Sequence, residues 1–389
     1  MNNKKKWFIS LAHAFVLTII SLVWMHTPYT YGDEKFLIKW SAVIKRLVFN
    51  YDEAPLKNQF LFINLAHEKA LIPLEDQLGN EVITDRLALA KFFSIEKKHP
   101  NAAKFTLCDV FLKGKSANDS LLCSSISGVP NVLFPAQLDA NDQLEKPQLK
   151  VPFAMANYSS TDQGFFKIKL FQGKGYQAIP EVMYEKLQQK KIISNWGLHW
   201  DNHKPCFNSI IIDNKIRPEN VFQKKEYPVV NLSELLILPE DVIVNDFIKN
   251  RIIVMGDFVS DQHQTSFGNI PGTFILLNTY LSLTKGFHII KWSLMLYLII
   301  ALTLYARIVF FNTQNKITES KWLLRFIESV FLLSIISIGS YFLFNIAIQV
   351  LVLTVYTSFL LYIRKVKNEK IPIFKLKYWI NNYLYPKQE

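Results

Sequence analysis

Residues 7–25 read WFISLAHAFVLTIISLVWM, and this apolar run after Lys4-Lys5-Lys6 decides the fold class. At about 1.5 Å per residue, a helix of this length crosses a hydrocarbon core about 30 Å thick. A cleaved signal peptide is the alternative, but the residues after the run, Met25 to Tyr29, contain no small-x-small cleavage pattern. We therefore expect an uncleaved transmembrane helix over 7–25, with residues 1–6 in the cytoplasm.

Apolar sequence returns near the carboxyl end, between Trp292 and Ile363. The run from Trp322 to Ile363 would overshoot a bilayer about twofold as one helix, so we expect two helices with an outer turn near Phe344 to Ala347. The predicted organisation places an extracytoplasmic domain at 26–286, transmembrane helices at 287–310, 322–344 and 346–363, a cytoplasmic loop at 311–321 and a basic cytoplasmic tail at 364–389.

The net charge of +12 is concentrated beside the apolar runs. Basic residues cluster at Lys4 to Lys6, between Arg307 and Arg325, and from Arg364 onward, so the long middle region is close to neutral. Basic charge next to transmembrane helices indicates their orientation, because cytoplasmic loops carry an excess of Lys and Arg. The charge therefore predicts contact with membrane lipid and argues against nucleic acid as a partner.

The region 26–286 holds no Gly/Ser-rich or Pro-rich break, so we interpret it as one domain. Strand-like runs alternate with helical patterns along it, which predicts an α/β fold with a mixed β-sheet. The clearest strand is Arg251 to Met255, because a short β-branched run that stops at Gly256 is typical of a buried strand.

The sequence contains no nucleophile elbow, phosphate-binding loop, dinucleotide fingerprint or zincin motif, so we expect neither enzyme activity nor a cofactor. His199, His203 and Cys206 are weak candidates for a metal site. Two imidazoles at i,i+4 and a thiol three residues later would give zinc three ligands on a helical turn that runs into a loop. A polar surface loop is the alternative. A disulfide between Cys108 and Cys123 also stays open.

The strand Lys249-Asn-Arg-Ile-Ile-Val-Met-Gly256 begins a spaced set of residues that continues with Asp261, Thr265, Gly268, Pro271, Gly272 and Asn278. This set and the order of segments resemble the CHASE2 family, the extracytoplasmic sensory modules of bacterial transmembrane receptors. Upstream, Asp109, Asp119, Asp162 and Gly164 are similar to the family's Asp and Asp-x-Gly positions. Asn64-Leu65-Ala66 stands where the family has an acidic pair. The resemblance therefore implies the fold and a sensory role, with these residues mainly structural, and it implies no ligand contact.

Two details of the predicted domain follow from its glycines and its carboxyl end. Gly256 and Gly272 are expected to serve folding, since a side chain at a closely packed turn is costly. Only Thr284-Lys285-Gly286 separates the helical pattern ending at Leu283 from the predicted helix at 287–310. Such a short link predicts a rigid connection with Gly286 as its hinge.

These observations favour a membrane-anchored sensor or interaction subunit in the bacterial inner membrane, with its large domain in the periplasm. The tail at 364–389 is too short for an effector domain, so the expected output passes to a separate membrane or cytoplasmic protein after an unknown extracytoplasmic ligand binds. A structural scaffold subunit of an envelope complex is the alternative. An extracytoplasmic metalloenzyme is the third reading, and it depends on His199, His203 and Cys206 alone.

Overall fold

The structure is a computed structural model that describes residues 2–27, 30–48, 57–73, 79–139, 141, 143–156, 164–195, 197–311 and 319–368. The chain forms two compact units. The helical unit comprises Met1–Trp24, Trp292–Tyr341 and Ala347–Glu389, and the α/β unit comprises Met25–Lys291 and Phe342–Ile346.

The α-helices are α1 (Asn3–Met25), α2 (Gly32–Leu47), α3 (Arg86–Lys98), α4 (Asp119–Ile126), α5 (Ile179–Gln188), α6 (Leu232–Leu236), α7 (Glu240–Val242), α8 (Gly272–Thr284), α9 (Trp292–Phe311), α10 (Glu319–Phe344) and α11 (Val350–Asn368). The strands are β1 (Phe60–Asn64), β2 (Lys69–Pro73), β3 (Asn80–Thr84), β4 (Phe105–Asp109), β5 (Val132–Leu138), β6 (Leu144–Glu145), β7 (Phe153–Met155), β8 (Lys167–Lys169), β9 (Phe171–Gln172), β10 (Tyr176–Gln177), β11 (Ile192–Asn195), β12 (Leu198–Asp201), β13 (Lys204–Cys206), β14 (Ser209–Ile211), β15 (Val229–Asn231), β16 (Ile252–Gly256), β17 (Gln262–Thr265) and β18 (Gly268–Pro271).

The main sheet has the strand order β15-β1-β16-β4-β5-β6, and β7 also pairs with β5. Its pairs are parallel except for β5 with β6, which is antiparallel. This mixed sheet confirms the predicted α/β class. The strand predicted over Arg251 to Met255 is β16, which lies between β1 and β4. All five of its residues are buried, as expected for a parallel strand covered on both faces.

Alternate residues of β1 pack into two separate cores. Phe60 and Phe62 enter the core that contains buried residues of α5 and α8, whereas Leu61 and Ile63 enter the core that contains buried residues of α3, α4 and α6. The side chains of a strand point alternately to the two faces of a sheet. Helices cover both faces of the main sheet, so only its edges stay accessible.

In the part of the chain that the structure describes, three helices are long and apolar enough to cross a membrane: Asn3–Met25, Trp292–Phe311 and Leu324–Phe344. The fourth predicted span, at 346–363, corresponds to a shorter apolar helix, Val350–Ile363, because residues 346–349 are not helical. The predicted outer turn agrees with the end of α10, where Asn345 has φ of 58°. The loop residues 312–318 and the tail residues 369–389 lie outside the described residues.

The connection from α8 to α9 is longer than predicted. It runs from Lys285 to Lys291, because Gly286 takes φ of 70° after α8 and the next residues hydrogen-bond to a neighbouring strand instead of starting a helix. The Ile290 amide donates to the Pro205 carbonyl at 2.8 Å, and the Phe207 amide donates to the His288 carbonyl at 2.8 Å. The second apolar helix therefore begins at Trp292, and the predicted start at 287 is wrong.

Candidate functional site

The carboxyl ends of three parallel strands meet at one edge of the main sheet. Asn64 of β1 is in register with Gly256 of β16, and Gly256 is in register with Asp109 of β4. In open α/β sheets, ligands bind outside the carboxyl ends of the strands. This carboxyl edge is therefore the first place to look for a binding site.

Asp109 is the central carboxylate of the carboxyl edge. Its Oδ2 accepts a hydrogen bond from the hydroxyl of Thr273, in the first turn of α8, at 2.9 Å. Burial raises the pKa of Asp109 to about 7, and the nearby charge of Asp261 adds to the rise, while the Thr273 hydrogen bond and His263 oppose it. The residue keeps a little accessible surface although protein atoms surround its carboxyl group. Asp109 therefore changes charge near neutral pH, which is unusual for an aspartate.

The loop after β16 adds a second carboxylate and an imidazole. Asp261 Oδ1 lies 2.8 Å from His263 Nε2, and this hydrogen bond raises the pKa of His263. The Asp261 carbonyl also accepts the amide of Gly272 at 3.0 Å, which fixes the start of α8. The imidazole and the two carboxylates make this loop a cluster of titratable groups that influence one another.

Two of the predicted glycines permit this close packing. A Cβ on Gly256 would lie 2.0 Å from Thr273 Oγ1, and a Cβ on Gly272 would lie 2.4 Å from Asp261 Oδ2. Neither residue has a positive φ. Their role is therefore close approach between β16, α8 and the Asp261 loop.

A pocket of about 210 Å³ opens beside Asp109, between the ends of β4 and β16 and the hairpin β2–β3. Lys69 Nζ bonds Asp257 Oδ2 at 2.8 Å on its wall. Arg86, whose side chain is buried, pairs with Asp119 and also donates to the Lys113 carbonyl. The pocket therefore combines the titrating Asp109 with cations that already have partners in the protein.

The other motif residues have structural contacts. The Thr265 hydroxyl donates to the Gly268 carbonyl at 2.9 Å and closes the β17–β18 turn, and Pro271 precedes α8. Gly164 forms an isolated parallel bridge with Gln264. Asn278 is buried within α8 and makes two hydrogen bonds with the backbone of Ile216. Asp162 lies outside the described residues.

Sequence reasoning missed Lys69, Asp257, His263 and Thr273. Asp257, His263 and Thr273 lie one or two residues from Gly256, Asp261 and Gly272. Lys69 lies on the separate hairpin β2–β3, and only the fold brings it to the pocket. Asn64, which stands where the resembling family has an acidic residue, accepts the amides of Ala66 and Phe258 and bonds Asn231. Asn64 thus holds the loops after β1 and β16, a role that its amide fills without a charge.

The candidate metal site has a different structure from the predicted helical turn. His199 and Cys206 are paired across the hairpin β12–β13, and His203 lies at its turn with φ of 68°. His199 and Cys206 are buried and His203 is exposed, so the hairpin separates the three. Among the described residues, no group of three His, Cys, Asp or Glu side chains is arranged to hold a metal ion. The helical turn on which the metal-site prediction depended is therefore wrong, because these residues form a β-hairpin.

The three cysteines are free, so the disulfide left open between Cys108 and Cys123 is not formed. Cys108 lies in the core on the α3 side of the sheet, where burial raises its pKa well above the usual value. Burial likewise raises the pKa of Cys206 to about 12. Both buried thiols are therefore poor nucleophiles.

A buried polar network joins the hairpin β12–β13 to the segment before α9. Asp201 Oδ2 accepts the Tyr184 hydroxyl at 2.8 Å and lies 3.0 Å from His288 Nε2. Burial acts to raise the pKa of Asp201, but the hydrogen bonds from His288 and Tyr184 outweigh it and lower the pKa overall. Because Tyr184, Asp201 and His288 are all buried, this network is structural, and it fastens the segment before α9 to the hairpin.

No family model, curated protein or solved structure matches the chain. The resemblance to the CHASE2 family therefore stays a prediction, and the functional argument rests on the geometry of the carboxyl edge. That geometry offers a carboxyl group that gains or loses a proton near neutral pH, next to a pocket and hydrogen-bonded to α8.

Proposed function

We propose that the protein is a multi-pass sensor or interaction subunit of the bacterial inner membrane, with the α/β unit on the periplasmic side and a small-ligand site at the carboxyl edge. The observation that carries the proposal is the hydrogen bond from Thr273 to Asp109. It joins the wall of the pocket to the first turn of α8, and the chain continues from α8 into α9. A ligand that changes the charge or the partners of Asp109 would act directly on this helix.

Contacts inside the α/β unit support a topology with four crossings. His26 follows α1 and accepts the Asn208 amide at 3.3 Å, while His288 precedes α9 and accepts the Phe207 amide through its carbonyl. Asn345, between α10 and α11, donates to the Ile211 carbonyl at 3.1 Å. Three junctions of the apolar helices thus contact one stretch of the domain, residues 207–211, as expected if all three lie on the same side of a membrane.

The pocket favours a small polar ligand. Its volume is below the roughly 300–1,000 Å³ of most drug-sized sites. Asp257 and Asp119 engage Lys69 and Arg86 on its wall, which Glu81 and Lys113 also line, and Asp109 is the carboxyl group that a ligand would meet at the end of β4. We expect the ligand to present a donor or a positive charge to this carboxylate.

Native mass spectrometry of the full chain, extracted gently from its own membranes, tests the proposal. Wild-type protein should release a small molecule that Asp109→Asn protein does not carry. Glu96→Gln is the matched control, because Glu96 is also buried, also accepts a threonine hydroxyl and also has its pKa raised to about 7, but it does not line the pocket. Identical small-molecule content in all three proteins would contradict a site at Asp109.

The scaffold reading has its own support, since Lys69 and Arg86, two of the cations that line the pocket, are paired within the protein with Asp257 and Asp119. A scaffold would keep its protein partners when Asp109 is changed. A sensor would keep them too, but it would lose the response. The cellular response to envelope stress, measured with wild type and with Asp109→Asn while partner co-elution is monitored, separates the two readings: a lost response with retained partners supports the sensor, and an unchanged response with retained partners supports the scaffold.

A further inference from the structure

Strand β12 has the reverse of the polar and apolar alternation expected for a strand that faces water. It buries the polar residues His199 and Asp201 and exposes the apolar residues Leu198 and Trp200, at 57% and 39% of their surface. Ile193 of β11 is paired with Trp200 and is 52% exposed. An aqueous surface strand has the opposite alternation. The outward face of the sheet β11–β13 is therefore an apolar patch, formed by Ile193, Leu198 and Trp200.

Residues that flank two apolar helices, α1 and α9, contact this sheet. The Ile290 amide bonds the Pro205 carbonyl of β13, and α9 begins at Trp292, two residues later. The ring of His26, the first residue after α1, lies 6.3 Å from that of His199 and 5.2 Å from that of Phe207. Two residues of extended chain span about 7 Å at most. The sheet is thus held within a short distance of the point where the chain enters each helix.

The segment that forms the sheet is mainly basic, although Glu185 of α5 accepts the amide of Ile192 at 2.8 Å. The sequence from 190 to 206 contains Lys190, Lys191 and Lys204 and a single acidic residue, Asp201, which is buried. Lys191 and Lys204 are exposed beside Ile193 and Trp200. Tryptophan with neighbouring lysines is the composition that proteins place at the boundary between acyl chains and anionic headgroups.

We propose that the outward face of β11–β13 lies on the membrane surface, with Ile193, Leu198 and Trp200 among the upper acyl chains and Lys191 and Lys204 at the phosphates of anionic phospholipids. This surface is separate from the carboxyl-edge pocket, and the inference rests only on the membrane location proposed above. A bilayer is the occupant that explains together the apolar alternation, the basic charge and the contacts of the sheet with residues that flank α1 and α9.

Fluorine NMR of the full chain in lipid nanodiscs tests this contact. The eight tryptophans are replaced biosynthetically by 5-fluorotryptophan, and Trp200→Phe assigns the Trp200 signal. A nitroxide carried on the lipid acyl chain should broaden that signal strongly, and a water-soluble gadolinium chelate should leave it sharp. Lys191→Glu with Lys204→Glu should weaken the lipid effect in anionic discs but leave it unchanged in discs of neutral lipid.

Leu71→Trp provides the matched control, since Leu71 is a 67% exposed apolar residue on the hairpin β2–β3 beside the pocket. The added signal should broaden with the gadolinium chelate, and the lipid nitroxide should leave it sharp. The same behaviour at Trp200 would overturn the proposal. Protection of Trp200 from both agents would also overturn it and would indicate protein, such as a second copy, on this face. If the lipid nitroxide does not broaden the signal of Trp292 in α9 either, the proposed membrane location is contradicted.

Discussion

The Thr273 hydroxyl donates to Asp109 Oδ2 at 2.9 Å, so the end of β4 is tied to the first turn of α8. Thr273→Val removes this bond at nearly constant volume. We expect it to lower the stability of the α/β unit by about 1–3 kcal/mol, the usual range for a hydrogen bond to a charged group, and to raise the pKa of Asp109 further. Thermal melting in nanodiscs measures the loss. Thr279→Val is the control, because its hydroxyl bonds only the Ile275 carbonyl of its own helix.

Stability should depend on pH through Asp109. Its pKa rises from 3.8 to about 7 in the folded protein, so the folded state holds the proton more tightly than the unfolded state. The stabilisation from the bound proton is complete below about pH 4 and is lost as the pH rises to about 7. Asp109→Asn should abolish this part of the decline, which melting temperatures between pH 5 and about 8 would detect. Glu96→Gln should remove a separate decline of its own. Parallel pH curves for wild type and Asp109→Asn would show that Asp109 titrates normally.

Gly256→Ala should destabilise the protein by about 1–3 kcal/mol, as overpacking in a closed core usually does. The added methyl group would meet the Thr273 side chain at the carboxyl edge. Thr273→Ala in the same chain should recover part of the loss, since it removes the oxygen that the methyl group meets. Gly32→Ala is the control, with nothing within 4 Å of its added Cβ. A loss of similar size from both glycines would argue against close approach as the cause.

His288→Ala should weaken the fastener before α9. It leaves Asp201 buried with one remaining side-chain partner, Tyr184, and losing a hydrogen bond to a charged group costs about 1.5–3 kcal/mol. Hydrogen exchange should speed up at the amides of Phe207 and Ile290, which bond across this junction. Tyr184→Phe removes one hydrogen bond only and should cost about 1 kcal/mol. Unchanged exchange in His288→Ala would mean that the backbone bonds alone hold the segment.

The proposed topology predicts where labels will react. A reporter inserted in the 312–318 loop or fused after Glu389 should behave as cytoplasmic. Cys206 should resist a membrane-impermeant thiol reagent in intact spheroplasts, because it is buried, and should react from the outside only after the domain is unfolded. A reporter after Glu389 that is active in the periplasm would contradict an even number of crossings.

Hydrophobic periodicity and charge predicted the elements whose sequence is set by one requirement, which is burial on both faces of a sheet or the thickness of a bilayer. Strand β16 is apolar throughout because helices cover both faces of the sheet, and the apolar helices α1, α9 and α10 match the bilayer in length. The apolar composition of Phe287 to Lys291 predicts a membrane span there. The segment is not helical, because its backbone hydrogen-bonds to β13, and no sequence pattern shows this contact. Neither the helical turn of the weak metal candidates nor a polar loop describes His199 to Cys206, which form the hairpin β12–β13, because the i,i+4 spacing of two histidines does not show the alternation of a strand. The Asp109 site needs the parallel register of β4 and β16, which no local pattern encodes.

The contact between Asn345 and the Ile211 carbonyl has a consequence for biogenesis. The two residues are 134 positions apart, so at about 5–20 residues per second the ribosome adds Asn345 about 7–27 s after Ile211. The core of the α/β unit is complete in sequence by Lys291, well before that. The carbonyl of Ile211 therefore gains this partner only after α10 and the turn that follows it have been made. Under the proposed topology, the last hydrogen bond of the domain forms only when α10 and α11 have entered the bilayer.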